Sequence, residues 1–242
     1  MQFKSAAVVS VGTELLLGDI VNTNFAYIAR ALASLGVPLY RESSVGDNPA
    51  RLRDVLGSAL ETSDLVIVTG GLGPTGDDLT KETIAELFGV PLVRDSRAEA
   101  NIRERFHRRF SGDIGENNLK QADMPDGATV FYNSVGTAPG FMIEKDGRTL
   151  CAMPGVPTEM KTMLAEYVLP MIRLRGEAHI VSRNLHVCGV GESAVDEMLG
   201  DLKNGVNPTV APYCKSGETR LRLSARAENE NMAQAMLDAL EA

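Results

Sequence analysis

Short apolar runs alternate with amphipathic stretches through the first half of the chain. Ala6–Val11 is a short apolar run that ends at a glycine, the pattern of a strand buried on both faces. Phe25, Ile28, Ala29, Leu32 and Leu35 then recur at helical spacing, behind Asn22, Thr23 and Asn24, whose side chains suit a helix start, and Gly36 ends the run. Val37–Ser44 reads as a second strand. Asn48-Pro49 is a cap followed by a first-turn proline, and Leu52, Val55, Leu56 and Ala59 form the next helix face. Leu65–Thr69 is a third strand and Leu79–Phe88 a third helix, closed by Gly89. A βαβαβα order of this kind implies a parallel sheet with right-handed crossovers.

The pattern then changes. Ser96–Phe110 predicts a longer, charged helix, and Ser111–Asp123 a loop with a short helix. Ala128–Tyr132 reads as a strand. Phe141–Glu144 and Thr149–Met153 flank Asp146-Gly147, a hairpin signal. Pro157–Arg173 follows as one helix whose methionines, Met160, Met163 and Met171, read as core filler. Beyond Arg175-Gly176 the order becomes strand, helix, strand, strand, helix, with Arg220–Ala225 alternating as a half-exposed strand. The expected architecture is therefore a mostly parallel α/β domain over 1–175 and a small α+β domain over 176–242.

Composition narrows the functional classes. The 242 residues carry a net charge of −8 and a pI near 5.0, which argues against broad nucleic-acid binding. The basic cluster Arg103, Arg105, Arg108, Arg109 with His107 is interrupted by Glu99 and Glu104 and reads as a solvated helix face. No stretch approaches the length of a membrane span. Cys151, Cys188 and Cys214 are widely spaced, as expected of reduced thiols in a cytoplasmic protein.

The chemistry concentrates in glycine loops. Thr69-Gly70-Gly71-Leu72-Gly73-Pro74-Thr75-Gly76-Asp77-Asp78-Leu79-Thr80 leaves a buried strand and opens a helix. Glycines there let backbone approach an anion, and a helix N-terminus offers it unpaired N–H groups. Asp77 and Asp78 add paired carboxylates suited to Mg²⁺ or a similar hard cation that also touches phosphate oxygens. The Gly-Lys-Ser/Thr ending of a P-loop is absent. A second loop, Gly12-Thr13-Glu14 with Gly18-Asp19, and a third, Met153–Glu159, also join strand to helix. In open parallel sheets ligands bind beyond the carboxyl ends of the strands, so these loops are expected to converge. Glu14 and Asp19 could then act as ligands or bases. Asn22–Asn24, Thr158 and Glu159 either cap helices or face the site. Asn133–Gly140 is a fourth possible phosphate or sugar contact. Lys81 either neutralises charge there or lies on the surface.

As an ordered set, Gly12-Thr13-Glu14, Gly70–Thr80, Asn118-x-x-Gln121-Ala122-x-x-Pro125, Gly136–Gly140 and Pro154–Met160 resemble the N-terminal part of the CinA family. Gly189-x-Gly191-Glu192-Ser193 and Pro208–Tyr213 resemble its middle domain, and the first domain also resembles the wider molybdopterin-binding superfamily. The resemblance implies a three-layer α/β/α sandwich, a homodimer, and hydrolysis of ADP-ribose to AMP and ribose 5-phosphate with a divalent metal (Mg, Mn or Co) and potassium. Many relatives carry a further deamidase domain. This chain ends before one, so no deamidase activity is expected. Leu72 stands where pterin adenylyltransferases of the superfamily usually have threonine, which weakens a pterin reading.

On this basis Asp77, Asp78 and Glu14 are the catalytic candidates, with Asp77 and Asp78 also holding metal. The candidate substrate contacts are Gly12, Thr13 and Asn24; Gly70, Gly71, Gly73, Pro74, Thr75 and Thr80; Gln121; Gly136 and Thr137; and Pro154, Gly155, Pro157 and Glu159. The alternative is a non-catalytic module that binds a pterin or nucleotide. A protein acting directly on DNA is suggested only by the family's name.

Overall fold

The computed structural model describes residues 3–109, 113–176, 179–215 and 218–241, without the side chains of 109, 179, 214 and 215. The expected ends at Phe110 and Ala242 fall outside these residues, as do the side chains of Arg109, His179 and Cys214. The chain divides into two compact units, one of Met1–Ala33 with Val37–Ile172, the other of Ser34–Gly36 with Arg173–Ala242.

In the first unit, β1 (Ala6–Val11), α1 (Thr13–Leu17), α2 (Thr23–Ser34), β2 (Leu39–Val45), α3 (Pro49–Thr62), β3 (Leu65–Thr69) and α4 (Thr80–Phe88) follow the expected alternation. After them come β4 (Leu92–Arg94), α5 (Ser96–Arg109), α6 (Glu116–Leu119), β5 (Asp123–Pro125), β6 (Thr129–Phe131), β7 (Gly140–Lys145), β8 (Arg148–Met153), α7 (Pro157–Met163) and α8 (Leu169–Arg175). The main sheet has the order β2-β1-β3-β8-β7-β6. The first four strands run parallel, and β7 and β6 each lie antiparallel to the strand before them in that order.

Both faces of the sheet are covered. Ala7, Val9, Val66, Val68 and Ala152 pack with Leu52, Leu56 and Ala59 of α3 and Ile84 and Phe88 of α4. The alternate strand residues Ala6, Val8, Leu65, Ile67, Cys151 and Met153 are equally buried, as are Ile28 and Leu32 of α2 and Met160 and Met163 of α7. Successive strand side chains point to opposite faces, so this double burial makes three layers. Truncating a residue at the centre, such as Leu56→Ala, is expected to cost about 2–5 kcal/mol.

Register sets where the loops emerge. Val11 pairs with Val45, Ser10 with Thr69, and Thr69 with Met153, so four parallel strands end on one edge. The opposite end of β7 and β8 closes in a two-residue turn, Asp146 (φ 52°) and Gly147 (φ 76°), as the Asp-Gly pair predicts.

Two local expectations change. Pro157–Arg173 is not one regular helix, because a wider turn over Leu164–Val168 separates α7 from α8. Pro170 lies just beyond, with no N–H to continue a regular ladder. The ribbon of β4 and β5, three residues each, is too short to show any periodicity.

The second unit holds β9 (His179–Cys188), α9 (Glu192–Leu199), β10 (Thr209–Lys215), β11 (Glu218–Ala227) and α10 (Glu230–Glu241), with the antiparallel order β10-β11-β9. Leu221, Leu223 and Ala225, alternating along β11, form its core with Val195, Ala233 and Leu237.

Candidate functional site

The loops that leave the common edge pack backbone against backbone. Gly70 has φ 107°, and a Cβ there would meet the Val11 carbonyl at 2.1 Å. Gly71 has φ 66°, and its Cβ would fall 2.1 Å from the Thr80 hydroxyl. Any side chain at either position would part β1 from β3 or unseat α4. Thr80 Oγ1 donates to the Gly70 carbonyl (3.0 Å), which pins the loop to the first turn of α4. Gly155 lies against Gly70, with its would-be Cβ 3.4 Å from the Gly70 Cα. The buried Asn24 ties these loops together through Nδ2, which donates to the Gly155 carbonyl (2.7 Å) and to Thr69 Oγ1 (3.1 Å). Thr69 Oγ1 in turn donates to the Pro154 carbonyl (3.0 Å).

Between these loops opens a cavity of about 410 Å³. Its floor is backbone, from Gly12, Gly70, Gly71, Gly73 and Gly155. Its rim is acidic, from Glu14, Asp47, Asp77, Asp78 and Glu159. No side chain caps α4 or α7, although the Thr80 amide at the start of α4 donates to the Gly71 carbonyl (3.2 Å).

The carboxylates differ in what holds them. Asp78 Oδ2 accepts from the Thr75 amide (2.9 Å) and hydroxyl (2.5 Å) and fills the space a Cβ on Gly73 would need. The same Thr75 side chain, followed by the backbone, holds the exposed Asp77 carboxyl below its usual range. Asp47 Oδ2 accepts from the Thr13 amide (3.0 Å) and hydroxyl (2.7 Å), which locks β2's end to the start of α1. The Glu14 carboxylate stands against Gly12. Glu159 is half-buried, and that desolvation raises its pKa against the opposing hydrogen bond from Asn133 Nδ2 (2.5 Å). Its carboxyl occupies the place of a Cβ on Gly136, so a side chain there would displace the Glu159 carboxylate.

Among the described residues, no three His, Cys, Asp or Glu side chains gather closely enough to hold a metal ion by themselves. The rim fits instead the mode in which a hard cation takes one or two carboxylates and completes its shell with water and phosphate oxygens.

Of the residues singled out in the sequence, Gly12, Glu14, Gly70, Gly71, Gly73, Pro74, Asp77, Asp78, Gln121, Thr137, Pro154, Gly155 and Glu159 line the cavity. Thr13, Asn24, Thr75 and Thr80 stand behind the wall and brace it. Pro157 lines a small adjoining pocket with Asn24, and Gly136 a neighbouring cavity. Asn22, not Asn24, caps α2, accepting from the Phe25 amide (3.0 Å). Lys81 is neither a surface residue nor a cavity residue. It is 1% exposed, donates to the Lys120 carbonyl (2.6 Å), and is pushed down to about 8 by desolvation. Asp47 and Asn133's hold on Glu159 escaped the sequence reading. Asp47 follows a third parallel strand through Val45-Gly46, a signal the strand-end rule could have used. The solvated reading of the arginine cluster holds for Arg103 and Arg108, paired with Glu99 and Glu104, but not for Arg105, which donates to the carbonyls of the 133–135 loop.

Residues 7–174 match the family described as "Probable molybdopterin binding domain", and residues 182–242 the "Damage-inducible protein CinA KH domain". The crystal structure of the protein CinA from Thermoplasma acidophilum is 38% identical and superposes with a TM-score of 0.65, covering 70% of this chain and 98% of that one. The chain belongs to the CinA family. CinA-like proteins of Dictyoglomus turgidum (48% identical over 232 residues) and Gloeobacter violaceus (47% over 241) match 96% and 98% of it. The chain spans 56% of the length of each of these CinA relatives. No described helix is long and apolar enough to cross a membrane.

Proposed function

We propose that the glycine-loop cavity is the active site of a nucleotide pyrophosphatase that hydrolyses ADP-ribose to AMP and ribose 5-phosphate. The observation that carries this reading is the convergence of three strand-end glycine loops on one cavity with an acidic rim. The amides of Gly71, Gly73 and Gly155 hold the diphosphate, because without overlying side chains they come within hydrogen-bonding distance of its oxygens, whereas those of Gly12 and Gly70 already donate to Val45 and Met153. Asp77, exposed and kept ionised, is the residue to hold a divalent cation (Mg, Mn or Co) that arrives on the diphosphate, with Glu14 beside it. Such an ion withdraws charge from the phosphoryl oxygens. Asp78 keeps the loop in shape through Thr75.

In the reaction, water attacks one phosphorus, the bond from that phosphorus to the bridging oxygen breaks, and the proton released by water passes to a carboxylate. Glu159 suits that last role, since its half-burial raises its pKa above the ordinary carboxylate value.

The test is incubation of the full chain with ADP-ribose and Mg²⁺, Mn²⁺ or Co²⁺, with AMP quantified by chromatography. AMP release above a metal-free control that is lost in Asp77→Asn is the expected result. Tight ADP-ribose binding with no turnover under any metal would reject the hydrolase and leave a binding module.

A further inference from the structure

The glycine cavity continues beyond its rim. Thr137 and Glu159 line it on one side and, on the other, a second cavity of about 1140 Å³. The far wall is one face of α5, where Arg97, Asn101 and Arg105 succeed one another at helical spacing. The near wall carries two tyrosines. Tyr132 lies under the Arg97 guanidinium, 3.9 Å from ring centroid to Cζ. Tyr167 stacks on Phe131 at 4.8 Å and donates its hydroxyl to the Tyr132 carbonyl (3.3 Å). These contacts fix both rings in place.

The charges of this wall are unevenly matched. On α5, Arg103 and Arg108 pair with Glu99 and Glu104 one turn away. Among the described residues no carboxylate pairs with Arg97 or Arg105. Arg105 spends its donors on the carbonyls of Val135 (2.9 Å), Ser134 (2.5 Å) and Asn133 (3.4 Å), which orders the loop, and its charge acts on the Glu159 carboxylate without a direct ion pair. Among the described residues no ion pair or hydrogen bond engages Arg97, whose guanidinium carbon sits 3.9 Å from the Tyr132 ring centroid. A guanidinium held beside an aromatic ring keeps its charge and its fork of donors for a doubly charged acceptor that offers paired oxygens, such as a phosphate.

We propose that this second cavity seats the nucleoside arm of the substrate and favours an arm bearing an additional phosphate on its sugar, read by Arg97. The proposal rests on the glycine cradle holding the diphosphate, since only then does the arm cross the Thr137–Glu159 sill. The aromatic wall offers surface for the base, and Asn101 offers amide groups for its edge. The substrate class becomes a diphosphate whose nucleoside arm carries an additional sugar phosphate, ahead of plain ADP-ribose, with adenosine 2′,5′-bisphosphate as its probe.

Equilibrium binding tests this without any turnover, by titrating the full chain calorimetrically with AMP and with adenosine 2′,5′-bisphosphate. The expected result is about tenfold tighter binding of the bisphosphate, the size of a charge-assisted hydrogen-bonded pair. Arg97→Gln brings the ratio close to one and leaves AMP affinity within about twofold, while Arg108→Gln, already paired with Glu104, leaves the ratio unchanged. Equal affinity for the two ligands in the unaltered protein overturns the proposal, as does a ratio that survives Arg97→Gln or falls equally in Arg108→Gln. A thermal midpoint close to that of the unaltered protein checks that Arg97→Gln is folded, and Arg97→Lys, which keeps the charge but loses the planar fork, is expected to retain part of the preference. Absence of AMP release from ADP-ribose would sink the hydrolase reading and leave this binding ratio standing. Loss of the ratio with hydrolysis intact would do the reverse.

Discussion

The two adjoining cavities are built from different material. The glycine cavity is walled by backbone whose position is dictated by sheet register, whereas the α5 cavity is walled by long side chains anchored one by one. The backbone wall is intolerant at Gly70, where an added methyl collides with the Val11 carbonyl. A side-chain wall tolerates substitution and changes what it recognises. Each experiment below either separates the two walls or erases the distinction.

The largest effect belongs to Gly70→Ala. Its Cβ would meet the Val11 carbonyl at a positive φ, so neither neighbour can move without disturbing β1. A loss of about 3 kcal/mol or more in chemical denaturation is expected. An unchanged midpoint would mean that the loops do not pack as described. Lys81 comes next, a cation one turn past the glycine loop that points into the interior instead of the cavity. Its pKa falls from 10.5 to about 8 on folding, so over that window the unfolded chain holds a proton the folded one has lost. Stability from this group therefore rises with pH, by roughly 3 kcal/mol across the window. Lys81→Met removes that slope, and the stability difference between the two proteins should shift by this amount in favour of the unaltered chain between about pH 8 and 10.5.

Glu159 sits on the sill between the walls, and Glu159→Gln is expected to lower kcat/KM for ADP-ribose by about 100-fold. On the proposed function, kcat/KM of the unaltered chain is expected to fall as acid protonates Glu159, at a pH above the ordinary carboxylate value of 4.5. The variant should lack that acid limb. A limb that persists would assign the titration to another rim acid. Asn24→Ala removes two hydrogen bonds that hold the loops from behind and should cost about 1–2 kcal/mol. The smallest effect is Gly155→Ala. Its Cβ reaches the Gly70 Cα only at 3.4 Å, so a cost below about 1 kcal/mol is expected, and a cost equal to that of Gly70→Ala would show the cradle to be tighter than it is drawn.

The same contrast explains what could be read from the chain alone. Apolar runs ending in glycine marked β1, β3 and the loops after them, because a parallel strand buried on both faces leaves a continuous apolar signature and a tight exit leaves a glycine. The order of elements and the Asp146-Gly147 hairpin were legible for similarly local reasons. Asp47 was not, because a carboxylate that braces Thr13 from another strand carries no mark in its own neighbourhood. Thr80 and Asn24 looked like ligand contacts because polar residues beside a glycine loop have the same sequence signature whether they face the cavity or the loop's back. Arg105 resembled its paired neighbours Arg103 and Arg108, and only the path of residues 133–135 beside α5 separates them. Lys81 was misplaced for the opposite reason, since a buried lysine with a carbonyl partner is rare enough that its sequence position argues against it.

The backbone cradle itself is tested most directly by following the amide resonances of the full chain during titration with inorganic pyrophosphate and Mg²⁺. The account predicts saturable shifts concentrated at Gly71, Gly73 and Gly155, with the α5 amides from Arg97 to Arg105 moving little. Saturable shifts centred on α5, with the glycine amides unmoved, would contradict it.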